Sequence, residues 1–168
     1  FFGGANLQFQ IDATDGKANT RNGLRLLATA DYRKRLDSNV DDMGFLDFGG
    51  AFSLYATIPI KSLDLTLASS VGGRYISGNY EFYQAPSLGG IRNLRGFRND
   101  RFRGHAAWYH NTDLRLTLFY WDNTILPFEF GMYGGFDYGR IFFRKDENTS
   151  DDLLMGYAAG IFFNPLNF

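Results

Sequence analysis

Apolar and polar residues alternate along most of this chain, in seven long stretches. In residues 6–13, Leu7, Phe9, Ile11 and Ala13 share one face, and Asn6, Gln8, Gln10 and Asp12 the other. In 23–34, Leu24, Leu26, Ala28, Ala30 and Tyr32 oppose Arg25, Thr29, Asp31 and Arg33. In 45–57, Phe48, Phe52, Leu54 and Ala56 oppose Asp47, Ser53, Tyr55 and Thr57. In 63–75, Leu63, Leu65, Leu67, Val71 and Tyr75 oppose Asp64, Thr66, Ser70 and Arg74, and the pattern predicts continuation to about Tyr83. In 104–120, Trp108, Leu114, Leu116, Leu118 and Tyr120 oppose Asn111, Asp113, Arg115 and Thr117. In 127–144, Phe128, Phe130, Met132, Phe136 and Tyr138 oppose Glu129, Tyr133 and Asp137. In 153–163, Leu153, Met155, Tyr157, Ala159, Ile161 and Phe163 oppose the small residues Gly156, Ala158 and Gly160.

Period two is the signature of a β-strand with two unlike faces. Soluble strands average about 5–6 residues, so these are too long for an ordinary sandwich. A tilted membrane strand needs about 9–11 residues within the hydrocarbon. The pattern therefore predicts an all-β, antiparallel transmembrane β-barrel, with Leu7, Phe9, Leu26, Phe52, Leu65, Leu116 and Phe130 facing lipid.

The connections fit this reading. Residues 57–62 and 121–126 are short, whereas 35–44, 84–103 and 145–152 are longer and more polar. Outer-membrane barrels have short periplasmic turns and longer outside loops. The segment 14–22 is intermediate in length, and strand alternation places it with the periplasmic turns. Seven is an odd count, and an unpaired strand edge is not tolerated in lipid. The stretches are thus expected to belong to a larger sheet, in which 6–13 does not pair with 153–163. The final Phe168 leaves two readings open, a true barrel C-terminus or a turn leading onward. Pro165 interrupts the last alternation and favours the turn.

Composition narrows the picture. No run of about 18 apolar residues exists, which excludes a transmembrane helix. Cysteine is absent, so disulfides and thiolate zinc sites are excluded. A net charge of −1 gives no reason to expect nucleic acid as a partner. Tyr75, Tyr80, Phe82, Tyr83, Trp108, Tyr109, Tyr120 and Trp121 fall near strand ends, where an interfacial girdle is expected.

One loop stands apart. Arg92, Arg95, Arg98, Arg101 and Arg103 crowd five guanidiniums into twelve residues, with Asp100 the only acid among them. A solvated basic loop touching anionic headgroups is one reading. The tetrapeptide Leu94-Arg95-Gly96-Phe97 supports another. Gly96 admits backbone conformations closed to other residues. Phe97 offers an apolar anchor, and Arg95 a fork that grips carboxylates. Parity places Asp113 and Asp137 on the face opposite the leucines and phenylalanines.

Gly89-Gly90-Ile91-Arg92-Asn93-Leu94-Arg95-Gly96-Phe97-Arg98, followed by Asn111-Thr112-Asp113-Leu114-Arg115, resembles the sixth extracellular loop and next strand of the BamA-like bacterial surface antigen superfamily. These are outer-membrane barrels of protein assembly and two-partner secretion. The resemblance is clear from Ser87 to Asn164. It implies a bacterial outer-membrane location and a barrel of about sixteen strands, of which this chain is a C-terminal portion, one barrel domain spanning 1–168 and incomplete at both ends. It also implies that loop 85–103 folds into the lumen, with Arg95 on Asp137 and on Asp113. Glu is commoner than Asp at the latter position, so the reach there is shorter.

The function implied is protein insertion or translocation without catalysis and without a cofactor or metal. Expected partners are outer-membrane lipid, lipopolysaccharide, unfolded client proteins and periplasmic assembly factors. Two alternatives stand beside it, a barrel that anchors or exports an attached hydrolase domain and a passive pore. Enzyme signatures are weak, because no Gly-x-Ser-x-Gly elbow or P-loop occurs. His105 and His110 are five apart on a predicted strand and face opposite ways, with His110 on the lipid side. Asp41-Asp42 and Asp151-Asp152 offer either solvated loop charge or divalent bridging of lipopolysaccharide.

Overall fold

In a computed structural model, residues 2–16, 19–36, 44–122, 126–144 and 152–165 are described. Seven long strands form one antiparallel sheet: β1 (Phe2–Thr14), β2 (Gly23–Arg35), β3 (Gly44–Ile60), β4 (Leu63–Gly78), β7 (Ala106–Trp121), β8 (Phe128–Phe142) and β9 (Leu154–Pro165). They lie side by side in that order. β1 and β9 are the two edges and do not pair with each other. Two short strands, β5 (Ser87–Leu88) and β6 (Phe102–Arg103), form a ladder of their own inside the β4–β7 connection.

All seven alternating stretches are strands: β1, β2, β3 and β9 are a little longer than the alternation alone suggests, and β7 and β8 a little shorter. β3 runs through Pro59, which pairs with Asp64. β9 takes in Pro165, which pairs with Phe128. A proline at a strand end forfeits one donor and no more. β4 departs furthest from the expectation. It stops at Gly78 instead of reaching Tyr83, and Phe82–Gln84 form a single 3-10 turn. Residues 166–168, and with them Phe168, lie outside the described residues, as do Asp41, Asp42 and Asp151.

The β4–β7 connection lies over one face of the sheet, called the inner face below. The faces are inverted relative to a soluble protein. The outer face carries Leu7, Phe9, Leu26, Phe52, Leu65, Leu116 and Phe130, in register with one another across the strands. Leu7 is 72% exposed and Ile161 73%. An apolar surface of this extent needs lipid against it. The fully buried large side chains include two acids, Asp137 and Glu129, and both face inward.

Two belts of aromatics cross the outer face. Near the turn end, Phe119, Trp121, Phe128, Phe130 and Phe163 contact one another. Near the loop end the belt is Trp108, His110, Phe136, Tyr138 and Tyr157. His110 lies on this outer face, with its ring nitrogens 2.8 Å from Ser69 Oγ and 2.7 Å from the Tyr138 hydroxyl. His105 precedes β7 and sits edge-on to Tyr75. Phe128 and Tyr138 are ten residues apart on β8, roughly 33 Å of strand. A tilt of about 40° reduces that to about 25 Å, the height of a bilayer's apolar band.

Two members of the expected girdle face inward instead. Tyr109 packs against the loop's apolar core. Tyr120 turns inward because of a bulge: Thr117 pairs with Gly131 but Phe119 pairs with Phe130, so Leu118 is an extra residue. The bulge exchanges the faces beyond it. Phe119 and Trp121 go to lipid, and Tyr120 meets Glu129.

These faces predict unequal costs for one added charge. Leu114→Arg, near the middle of β7 on the outer face, is expected to destabilise the full-length barrel in lipid vesicles by about 2–4 kcal/mol. Ser53→Arg on the inner face should change stability by less than about 1 kcal/mol. Denaturant titration of the folded barrel measures both, and equal costs would refute the assignment of faces.

Candidate functional site

The β4–β7 connection is closed by its own backbone before it meets the sheet. β5 and β6 pair Ser87 with Arg103 and Leu88 with Phe102. Within that neck, Gly90 N donates to Phe97 O at 3.1 Å and Leu94 N to Gly90 O at 3.2 Å. The Asn93 side chain ties the turn further, accepting from Gly89 N at 2.9 Å and donating to Ser87 O at 3.1 Å. Gly96 sits at φ +87°, a left-handed conformation that costs a side-chain-bearing residue energy.

The loop's apolar side points at the sheet. Leu88 and Leu94 are fully buried against Ala107 of β7 and Ile141 of β8. Phe97 and Phe102 pack on the same cluster and meet edge-to-face at 5.2 Å. Leu94 and Phe97 therefore hold the tip down by burial, one on each side of Arg95.

Arg95 makes the polar contact. Its backbone N donates to Asp137 Oδ2 at 2.8 Å. Its Nε donates to the same oxygen at 2.7 Å and its Nη2 to Oδ1 at 2.5 Å. Its Nη1 lies 2.7 Å from Asp113 Oδ1. One carboxylate thus takes three charge-assisted or backbone donors, and the guanidinium bridges two strands. Asp137 is wholly buried while the Arg95 side chain keeps 15% exposure. A buried carboxylate needs this much compensation. The hydrogen bond to Asp137, with help from Asp113, raises the Arg95 pKa above its ordinary value despite burial.

The structure therefore brings Leu94, Arg95, Gly96, Phe97, Asp113 and Asp137 together. Asp113 is in full contact in spite of its shorter side chain. The other arginines of the loop behave differently. Arg92, Arg98 and Arg101 are exposed, and Arg101 lies over the Phe102 ring. Arg103 donates to Tyr83 O at 3.0 Å and is 3.4 Å from Asp100.

Sequence reasoning missed two parts of this site. The first is its seat. A Cβ on Gly135 of β8 would come within 2.5 Å of both Arg95 Nη2 and Asp113 Oδ1. A Cβ on Gly156 of β9 would run into the Arg95 carbonyl oxygen. The small residues on the inner side of β9 were the visible sign that something approaches this face closely. The second is a further ionic cluster at the turn end of the sheet, centred on Arg21 and Glu129. No periodicity marks the 14–22 segment, so nothing in the pattern distinguished Arg21.

Filling the seat should unseat the loop. In a barrel carrying an Ala107→Cys reporter, a β7 position covered by Leu88 and Leu94 of the seated loop, Gly156→Val is expected to raise the maleimide labelling rate at least tenfold. Ala158→Val, two residues along the same face, should raise it less than threefold. Equal rates in the two backgrounds would show that Gly156 does not seat the loop.

The chain matches the family model of the haemolysin secretion/activation proteins ShlB/FhaC/HecB over residues 5–163. No curated protein and no solved structure matches it. The matched span takes in nearly all of the sheet and the whole of the loop that rests on it. With its inverted faces and long antiparallel strands, the chain belongs to the ShlB/FhaC/HecB family, outer-membrane β-barrels of bacterial two-partner secretion that translocate proteins.

Proposed function

We propose that this chain is one barrel domain, forming part of the wall of a larger barrel of about sixteen strands, and that loop 85–103 braces its lumen during client export. The inner face is then the lumen wall. Arg95, Asp137 and Asp113 fix the loop tip between β7 and β8, where it narrows the path and positions the neighbouring wall. The outer face meets membrane lipid and lipopolysaccharide, and unfolded clients and periplasmic factors act from within. The proposal includes no catalytic step.

The observation that carries this reading is the threefold grip of Arg95 on Asp137. A loop that merely lay in outside solvent would have no use for a wholly buried carboxylate beneath it. Loss of one partner from a dry ion pair costs about 3–5 kcal/mol, and water reaching the partly exposed Arg95 reduces that.

The test is secretion by the full-length transporter. Arg95→Ala and Asp137→Asn should each lower client released into the medium at least tenfold, at equal amounts of folded barrel in the outer membrane. Arg103→Ala should lower it less than threefold. If Arg95→Ala secretes as well as Arg103→Ala does, the bracing role is wrong and the barrel assignment survives. Asp113→Glu is expected to retain secretion, since it keeps the charge and restores the longer reach.

A further inference from the structure

The segment between β1 and β2 also lies on the inner face, and it is held there by ion pairs. Its neck is closed by Asp15 N donating to Asn22 O at 3.1 Å. Arg21 N donates to Asp15 Oδ2 at 3.2 Å. The segment then docks on β3, where Thr57 Oγ1 donates to Arg21 O at 2.8 Å and Thr57 N to Asn22 Oδ1 at 3.0 Å.

From there the Arg21 side chain reaches far across the sheet. Its Nη1 pairs with Asp64 Oδ2 of β4 at 3.0 Å, and its Nη2 pairs with Glu129 of β8. β2 and β8 are four strand spacings apart, roughly 19 Å along the sheet. Asn19 also reaches Glu129 of β8 and Arg115 of β7, so residues 19–22 lie across the inner face. The inward flip of Tyr120 supplies a floor. Its ring lies 4.9 Å beneath the Arg21 guanidinium and its hydroxyl donates to Asp64 Oδ2 at 2.6 Å. Glu129 is 1% exposed and also accepts from Asn19 Nδ2 at 2.6 Å and Asn164 Nδ2 at 3.1 Å. Asn19 Oδ1 in turn accepts from Arg115 Nη1 at 3.0 Å. A cavity of about 500 Å³ lies between this cluster and the Arg95 loop, bordered by Asn19, Ile91, Arg95, Arg115, Tyr133 and Phe162.

We propose that Arg21 is a positioning residue that clasps the β1–β2 segment across the lumen at the end opposite the arginine loop. The translocation path then has two narrow points, with the cavity between them. A client must displace this clasp to pass. This proposal rests on the reading of the inner face as the lumen wall.

The test uses the full-length transporter in a cysteine-free background, to which these 168 residues contribute no native cysteine. Thr20 is 8% exposed with the clasp in place, so a Thr20→Cys reporter should react slowly with a maleimide. Arg21→Gln should raise that rate at least tenfold. Asp64→Asn removes only one of the two anchors and should give an intermediate rate, which keeps the test valid if Arg21→Gln fails to fold. Single-channel conductance in planar bilayers should rise at least twofold in Arg21→Gln. Secretion of the client serves as a separate readout. A raised labelling rate with unchanged conductance would mean that the segment is clasped but does not narrow the lumen, which overturns the proposal. Unchanged labelling in both variants would show that Arg21 holds nothing in place. If conductance rises as expected while Arg95→Ala leaves secretion intact, the clasp stands and the loop-bracing role falls.

Discussion

A carboxylate without access to water sits in the wall of this barrel at Asp137, and much of the surrounding structure exists to satisfy it. Three donors from Arg95 converge on its two oxygens. They can do so only because the loop tip is pressed down by Leu94 and Phe97 and because Gly135 and Gly156 carry no side chain. Take away the apolar anchors and the ordering of a long loop is no longer offset. Take away the glycines and the backbone of Arg95 cannot approach. The charge, the burial and the absent side chains are one arrangement, and each part is explained by the others.

The same logic of inversion runs through the whole sheet. Lipid offers no hydrogen bonds, so every strand must pair with a neighbour and run far enough to cross. Apolar side chains then go outward, and polar ones inward, where water and one another can satisfy them. Ionic contacts consequently appear on the inside: Arg74 on Asp47, Arg21 on Glu129 and Asp64, Arg95 on Asp137 and Asp113.

Much of this was legible in the sequence, for a physical reason. Period two is imposed residue by residue, so Leu7, Phe52 and Leu116 declare their face locally. The Arg95 pairing was legible through a family resemblance combined with strand parity, and parity alone would have left many inward acids to choose from. Where the local rule breaks, the reading broke too. Tyr120 was assigned to lipid because a bulge cannot be seen in an alternation that continues on both sides of it. Arg21 was passed over because a turn has no period, and its partners lie 43 and 108 residues away in the chain. Gly135 and Gly156 were visible as small residues, but their use depends on a loop arriving from elsewhere.

The bulge at Leu118 works as a change of phase. On its loop side, β7 sends odd-numbered residues inward. On its turn side it sends even-numbered ones. One strand thereby supplies Asp113 and Arg115 to one part of the inner face and Tyr120 to another, while Phe119 and Trp121 still reach the aromatic belt. Leu118 is therefore the one residue of this stretch that β7 can lose without exchanging a face: Phe119 would still meet Phe130 and Tyr120 would still meet Glu129, in an unbroken ladder. What would go is the local bend and twist that an extra residue gives a strand. Loss of a paired residue from β8 opposite has no such slack to absorb it, and every side chain beyond the gap would change sides.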